Sequence, residues 1–511
     1  MLTLIFAAIV VTVTYLYVKY DKTYHYWKKR GVAQLNPIPI YGDTKKCLEG
    51  KISEPEDALN MYKKFKEMGV SHGGVYVGNR PVWMPLDPEL VKTVTTKDYD
   101  YFDGHFANIP KRLFFNNLFH MTGNDWKDMR RKMTPVFTTG KMKVMLDTLL
   151  EKADSLSKLI DKVAQTSKPV EIKGIIARFT TDVIGSCGFG IECNSIEDET
   201  SEFFVKGQEI FRKTSTEISF FKKLLLILGL VQRAMPMDFS GIENFFRKVI
   251  KATVTYREEN KVIRKDFIHL MIQLKNKGAI TEFTNENDDI YKKTVKGDGI
   301  SFEDLVGEVL LFFSAGYETS STTMSFALLE LTQHQDIQDK LREEIREVLQ
   351  RHNGKMSYDA LQEMIYCESV IKETLRMYPP LAILPRTCTK NYKIPNSDVV
   401  IEKGTSLKIP VWGIHNDPDY FPNPTEFNPD RFSPENKHKI NPYTYIPFGD
   451  GPRQCLGLRF AMMESKVGLA VLLRNYRYTL HSSTPYPPKY VTNNFIPTVD
   501  GGIMVNVTNV N

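Results

Sequence analysis

The segment Pro447-Phe448-Gly449-Asp450-Gly451-Pro452-Arg453-Gln454-Cys455-Leu456-Gly457 carries the most legible chemistry in the chain. Gly449, Gly451 and Pro452 set a tight, non-helical approach. Cys455 stands where a helical pattern begins, running through Phe460, Met463 and Val467. Free N–H groups and positive potential at a helix start favour a thiolate and lower its pKa. Gly457 lets a flat ligand approach the backbone closely. A thiolate so placed is a soft ligand for iron and a poor disulfide partner. Attack on a substrate as a protease would need a histidine partner. The nearest in sequence, His438, lies between Lys437 and Lys439 in a polar stretch.

Further groups stand at helical spacing. Glu373 and Arg376 are three apart and share a face. Taken alone they are a surface ion pair worth only a few tenths of a kcal/mol. Trp126 and Arg130 are four apart, so an indole N–H and a guanidinium can face one anion. Ala315-Gly316-Tyr317-Glu318-Thr319 opens a run of hydroxyl residues to Thr323, inside a long apolar pattern starting near Phe302. Ser301 and Asp304 resemble a capping box at its start. Gly316 weakens that helix, and the hydroxyls can back-bond to its carbonyls. A tolerated polar patch is the plain alternative to a site of proton transfer.

Together these segments resemble the cytochrome P-450 superfamily. Phe448, Gly451, Arg453, Cys455 and Gly457 match its FxxGxRxCxG signature, Glu373 and Arg376 its ExxR helix, and Trp126 and Arg130 its WxxxR pattern. Phe427-Asn428-Pro429-Asp430-Arg431-Phe432 resembles the arginine segment ahead of the cysteine loop. The resemblance implies haem b, with Cys455 as the proximal iron ligand and Phe448 shielding the sulfur. Trp126, Arg130, Arg386 and Arg453 would surround the haem propionates. Glu373, Arg376 and Arg431 would interlock as a structural triad with no part in bond-making. Glu318 and Thr319 would relay protons toward dioxygen, with Ala315 and Gly316 giving space above the haem. Substrate would meet Phe114, Phe115, Phe119, Ala315, Ile383, Leu384, Phe495 and Ile496, although each suits an ordinary core equally well.

Tyr26-Trp27-Lys28-Lys29-Arg30-Gly31-Val32 and Phe179-Thr180-Thr181-Asp182-Val183-Ile184-Gly185 look like the insect microsomal, xenobiotic-metabolising members. The implied reaction inserts one oxygen atom of dioxygen into lipophilic substrates such as insecticides or plant toxins, with endogenous hormones left open. Electrons would come from NADPH through a separate NADPH–cytochrome P-450 reductase, with cytochrome b5 left open as a second donor. The absence of a GxGxxG after a strand, or of any flavin or ferredoxin-like module, agrees. Lys127, Arg130, Arg131 and Lys132 form a basic cluster that either meets an acidic reductase surface or is simply solvated. Two rivals stay in view. One is a haem isomerase or dehydratase acting on a hydroperoxide, which turns over without NADPH. The other is a haem carrier with no turnover and no need of an acid–alcohol pair.

The elements that must position these residues read as mostly helix. Periodic segments span 124–134, 142–164, 171–188, 241–275, 302–334, 336–351, 358–377 and 457–474. Short β-rich runs lie at 74–83, 392–394, 399–402, 406–410 and 501–507. The expectation is a mainly α fold with a minor β-sheet region. The resemblance places haem between the long central helix and the cysteine-loop helix. With 42% hydrophobic and 25% charged residues, the 511-residue chain suits a large packed core and excludes a disordered protein. Its net charge of +6 is too small to imply nucleic acid. Six scattered cysteines argue against a disulfide scaffold or a zinc site.

No internal repeat or long linker divides the chain. The expected plan is therefore a membrane anchor over 1–20, a basic and proline-containing hinge over 21–44 and a catalytic domain over 45–511. Leu2 to Val18 is free of charge and spans about 26 Å as a helix, near the lower limit for a bilayer. The lysines and arginine that follow would keep the body on the cytosolic face of the endoplasmic reticulum membrane. A second apolar run, 220–231, is expected as a core helix or an interfacial one, and 281–299 as a solvated loop.

Overall fold

The computed structural model describes residues 2–106, 109, 112–214, 238–280, 299–492 and 494–510. The apolar run 220–231 and the polar stretch up to 298 lie outside these residues.

Helices α1 (Leu2–Tyr24), α2 (Glu54–Glu67), α3 (Gly123–Met133), α4 (Thr139–Thr166), α5 (Ile172–Ile184) and α6 (Glu202–Thr214) form the first half. They are followed by α7 (Ser240–Asn260), α8 (Phe267–Lys277), α9 (Phe302–Gln333), α10 (Gln335–Arg351), α11 (Ile365–Met377) and α12 (Leu458–Leu473). At 32 residues α9 runs about 48 Å through the core. Its start is the expected capping box: Asp304 N donates to Ser301 Oγ at 3.0 Å, and Ser301 N to the Asp304 carboxylate at 3.0 Å. From Leu305 onward it is largely buried, with α5, α11, α12 and α8 packed around it. A helix enclosed on several sides cannot be amphipathic, which is why its pattern is apolar almost throughout.

The strands form small sheets at the edge of this helical mass. Strands β1 (His72–Val77), β2 (Arg80–Pro85), β4 (Leu384–Thr387) and β7 (Ser406–Ile409) make one sheet in the order β1-β2-β7-β4. Its β1–β2 hairpin pairs Val75 with Val82, and β2 runs parallel to β7 with Val82 opposite Ser406. Strands β3 (Val170–Glu171), β9 (Met504–Asn509) and β8 (Tyr476–Leu480) make a second, and β5 (Tyr392–Lys393) with β6 (Val400–Ile401) a third. The architecture is mainly α with a minor β region, as expected.

Differences from the sequence reading have local causes. The segment 241–275 breaks into α7 and α8 because Lys261 adopts a left-handed conformation and Asp266 caps α8 through His269 N at 2.9 Å. Arg257 of α7 turns back onto Asp266 in a buried pair, with Nη1–Oδ1 at 2.8 Å, and so pins the corner. The segment 358–377 breaks at Met364. The β-rich run 74–83 is the β1–β2 hairpin. Helices α2 and α6, and strands β3, β4 and β8, were not anticipated.

Residues 21–44 pack closely against the first sheet. Tyr24 and Trp27 are buried, Trp27 Nε1 donates to Val75 O at 3.3 Å, and a Cβ on Gly74 would overlap the Trp27 ring. Helix α1 runs unbroken across residue 20, with Ile5, Phe6, Val10, Val11, Tyr17 and Val18 exposed. Among the described residues no helix is long and apolar enough to cross a membrane. The charge-free part of α1 stops at Val18, and Lys19, Asp21 and Lys22 follow within the same helix.

Candidate active site

The cysteine loop reaches its shape through two left-handed glycines, Gly449 and Gly451, both at φ 70°. Gly451 also permits contact with the neighbouring backbone: a Cβ there would stand 2.0 Å from Thr95 O. Cys455 N donates to Phe448 O at 2.9 Å and closes the loop. Cys455 alone among the cysteines is exposed, and it lines a cavity of roughly 270 Å³. Helix α12 starts only at Leu458. Burial pushes the Cys455 thiol up, while Gly457 N–H and the Arg130 charge act the other way. The expected downward shift is thus not produced by the polypeptide alone, because the sulfur lies deep and three residues ahead of the helix.

Helix α9 forms the facing wall with Ala315, Gly316 and Thr319. Thr319 Oγ1 donates to Ala315 O at 2.6 Å, the anticipated back-bond. Gly316 serves packing as well as space, since a Cβ on it would sit 2.4 Å from Ile184 Cδ1 of α5. Glu318 lies off the cavity. Its carboxylate accepts from Lys173 Nζ at 2.7 Å, and Lys173 also reaches Thr498 Oγ1 at 3.4 Å. The alcohol therefore meets the cavity while its acidic neighbour is held by a lysine of α5.

Arg130, Arg386 and Arg453 share the cavity with Trp126. Each guanidinium is tied to backbone carbonyls: Arg130 to Gln454 O at 2.9 Å, Arg386 to Pro385 O at 2.8 Å, and Arg453 to Met121 O at 2.7 Å and Leu118 O at 3.3 Å. Arg453 also lies over the Trp126 ring at 4.0 Å, and its buried Nε has no partner. Burial pushes Arg386 down to about 10. Burial first, and then the Arg386 and Arg130 charges, push Arg453 to about 9 against the pull of Asp103.

The loop is held from behind by a second cluster. Arg376 donates to both oxygens of Glu373 at 2.7 and 2.8 Å, and Arg431 Nε reaches the same carboxylate at 3.3 Å. Arg376 continues to His415 O, Pro424 O and Glu426 O. His415 Nε2 then accepts from Ile446 N at 3.0 Å, which links α11 to the base of the cysteine loop.

Residues 35–505 match the family model described as cytochrome P-450. The chain belongs to the cytochrome P-450 family. It is 39% identical to probable cytochrome P-450 6a14 of Drosophila melanogaster over 96% of each chain. It is 37% identical to cytochrome P-450 6a2 of the same fly over 99% of each. Cytochrome P-450 6k1 of Blattella germanica is 38% identical over 98% of this chain and 95% of that one. Membership makes the protein a P-450 monooxygenase and implies a haem cofactor.

The residues present fit haem. Three buried or half-buried cations without a carboxylate partner among the described residues suit the two propionates, and the orphaned Arg453 Nε marks one unmet donor. A Cβ on Gly457 would meet nothing nearer than Phe137 at 3.9 Å, which leaves a flat approach to the sulfur.

Of the expected substrate residues, Phe119, Ala315 and Leu384 line the cavity. Phe114, Phe115, Ile383, Phe495 and Ile496 do not. Phe114 stacks on Phe239 at 4.1 Å, Phe115 meets the same ring edge-on, Ile383 and Ile496 are buried elsewhere, and Phe495 is on the surface. Sequence reasoning missed Leu118, Leu311 and Phe312, which look like core, and Glu308, an acid in an apolar helical run. The signal for Glu308 was its position seven residues before Ala315, on the same helical face. In the basic cluster of α3, Lys127 pairs with Asp100 at 2.8 Å, and Arg131 and Lys132 both pair with Asp128 at 2.7 Å.

Proposed function

We propose that this monooxygenase oxidises lipophilic small molecules, xenobiotics first among them, with Cys455 as the iron ligand and Thr319 at the oxygen-binding face. The observation that carries this reading is one cavity in which a sulfur faces a back-bonded threonine, beside three cations that lack an anion. Haem bound there would supply oxygen activation. The chain's own residues do the rest. Arg130, Arg386, Arg453 and Trp126 orient the propionates. Phe448 and Leu456 cover the sulfur side, and the apolar walls exclude water from the substrate. Thr319 Oγ1 can exchange its bond to Ala315 O for one to an incoming water, and would so hold and pass a proton at that atom. Glu318 would replenish that proton after releasing Lys173.

NADPH electrons arrive through a separate reductase, which meets charges on α3 that open from their partners Asp100 and Asp128. Helix α1 anchors the protein in the endoplasmic reticulum membrane with the body on the cytosolic side. Its row of exposed apolar side chains supports this placement.

Reconstitution with reductase and NADPH should give product from a lipophilic substrate together with the carbon monoxide difference band of a thiolate-ligated haem. Cys455→Ala should lose that band, and a variant that kept it would remove Cys455 as the ligand. Thr319→Ala should keep haem but divert about 90% or more of NADPH oxidation into peroxide, a loss consistent with a 10²-fold proton-transfer contribution. Unchanged coupling would remove Thr319 from the relay.

A further inference from the structure

Glu308 is the one acidic residue lining the cavity among the described residues, and it is 1% exposed. A carboxyl this deep normally has a cation or several donors around it. Among the described residues Glu308 accepts a single hydrogen bond, from Leu118 N at 2.6 Å, and forms no ion pair. Leu118, Leu311, Phe312 and Ala315 are its neighbours on the cavity wall. Glu308, Leu311, Phe312, Ala315 and Thr319 fall at positions i, i+3, i+4, i+7 and i+11, which is one face of α9.

The backbone around Glu308 is fixed independently of its carboxylate. Asn116 Nδ2 donates to Asp304 at 3.0 Å, and Phe114 N to Glu243 of α7 at 2.9 Å. Asn116 O lies so close to Gly307 that a Cβ there would stand 1.9 Å away. The segment 113–120 is thus bound to α9 through several ties, and a carboxyl is more than one further amide N–H requires.

Resting on the monooxygenase reading above, we propose that Glu308 makes this end of the cavity a binding site for lipophilic amines that carry a positive charge, holding the ammonium group while the apolar body extends toward Ala315 and Thr319. The spacing sets a length. Seven residues of helix place the carboxyl about 10 Å along α9 from Ala315. Favoured substrates therefore carry their basic nitrogen about that far from the carbon that is oxidised.

Around Glu308 the other ionisable groups leave room for a cation. Asp304, one turn earlier, adds negative charge, and burial together with Asp304 pushes the Glu308 carboxyl to about 8. His105 lies well below its usual range, and His120 at about 4, so both are neutral. Arg130, Arg386 and Arg453 share the cavity, Arg453 donating to Leu118 O, and bound propionates would offset their charge. An arriving ammonium then drives Glu308 to release its proton.

The test uses holoenzyme, a lipophilic dimethylammonium compound and its isopropyl isostere, with binding followed by calorimetry. Replacing Glu308 with Gln keeps an acceptor for Leu118 N. The ratio of cation to isostere affinity should fall at least about tenfold in Glu308→Gln, as loss of a charge-assisted hydrogen bond requires. A ratio unchanged within twofold overturns the proposal. Should Glu308→Gln not fold, wild type decides alone. At pH 7 and below the cation should release close to one proton per site, read as a buffer-dependent enthalpy, and the isostere none. Equal proton release by both sinks the amine site. The carbon monoxide band of the same preparation separates the two readings. Band present with an unchanged ratio rejects only the amine site, whereas band absent rejects the haem-thiolate reading beneath it.

Discussion

Two arginine clusters lie within a few residues of the same cysteine loop, and they differ in how their charge is balanced. In the cluster behind the loop, Arg376 and Arg431 converge on Glu373, and the remaining hydrogen bonds of Arg376 go to backbone carbonyls. In the cavity, Arg130, Arg386 and Arg453 have carbonyls but no carboxylate of their own. The first network is complete within the polypeptide. The second is incomplete until something anionic enters. Similar residues therefore serve opposite ends: a closed network holds shape, and an open one waits for a ligand.

Cutting the closed network should have the largest effect. Glu373→Gln leaves two guanidiniums facing a neutral partner and should cost about 3–5 kcal/mol in denaturant unfolding, with or without haem. An apo-protein of unchanged stability would end the distinction between the clusters. The open network should behave in the reverse way. Arg386→Met removes a buried cation with only a local carbonyl, so apo stability should hold or rise, while haem transfer to an acceptor protein should quicken about tenfold or more. A large fall in apo stability would make Arg386 structural.

A smaller effect sharpens the link between the two clusters. Burial, then the Arg376 charge, push His415 down to about 3. Its folded value thus lies below its unfolded value, near 6.5. The unfolded chain binds the extra proton below that pH, so this contribution is full above about pH 6.5 and is lost as the pH falls toward about 3. Between about pH 6.5 and 5 it amounts to at most about 2 kcal/mol. His415→Gln, which retains an acceptor for Ile446 N, should flatten that part of the stability profile. An unaltered slope would show that His415 does not couple the network to the loop.

The two regions were unequally legible in sequence. Cys455, the Glu373–Arg376 spacing and the Trp126–Arg130 spacing stand out locally in the sequence, but local rules placed the Glu373–Arg376 pair at the surface and Cys455 at a helix start, whereas the structure buries the pair and begins the helix at Leu458. Long helices such as α9 and α4 were also readable, because burial over many turns leaves a periodic trace. Strands β4 and β8 were not, being short segments whose hydrogen bonds are made with distant residues. Nor was the exit of Glu318 from the cavity, since adjacent residues on a helix point about 100° apart and only tertiary packing decides which of them faces the core. Phe114 and Phe115 were misplaced for the same reason: an aromatic ring beside a pocket and one within it look identical in sequence.

Gly307 has a consequence for how this pocket can diversify. Any side chain there collides with the Asn116 carbonyl and prises the 113–120 segment from its helix. Position 307 therefore accepts no side chain without a shift of the facing backbone, whereas Leu118, Leu311 and Phe312 beside it meet the cavity with their side chains. The contact that fixes the 113–120 segment is thus made by bare backbone, and the shape of the cavity beside it by side chains.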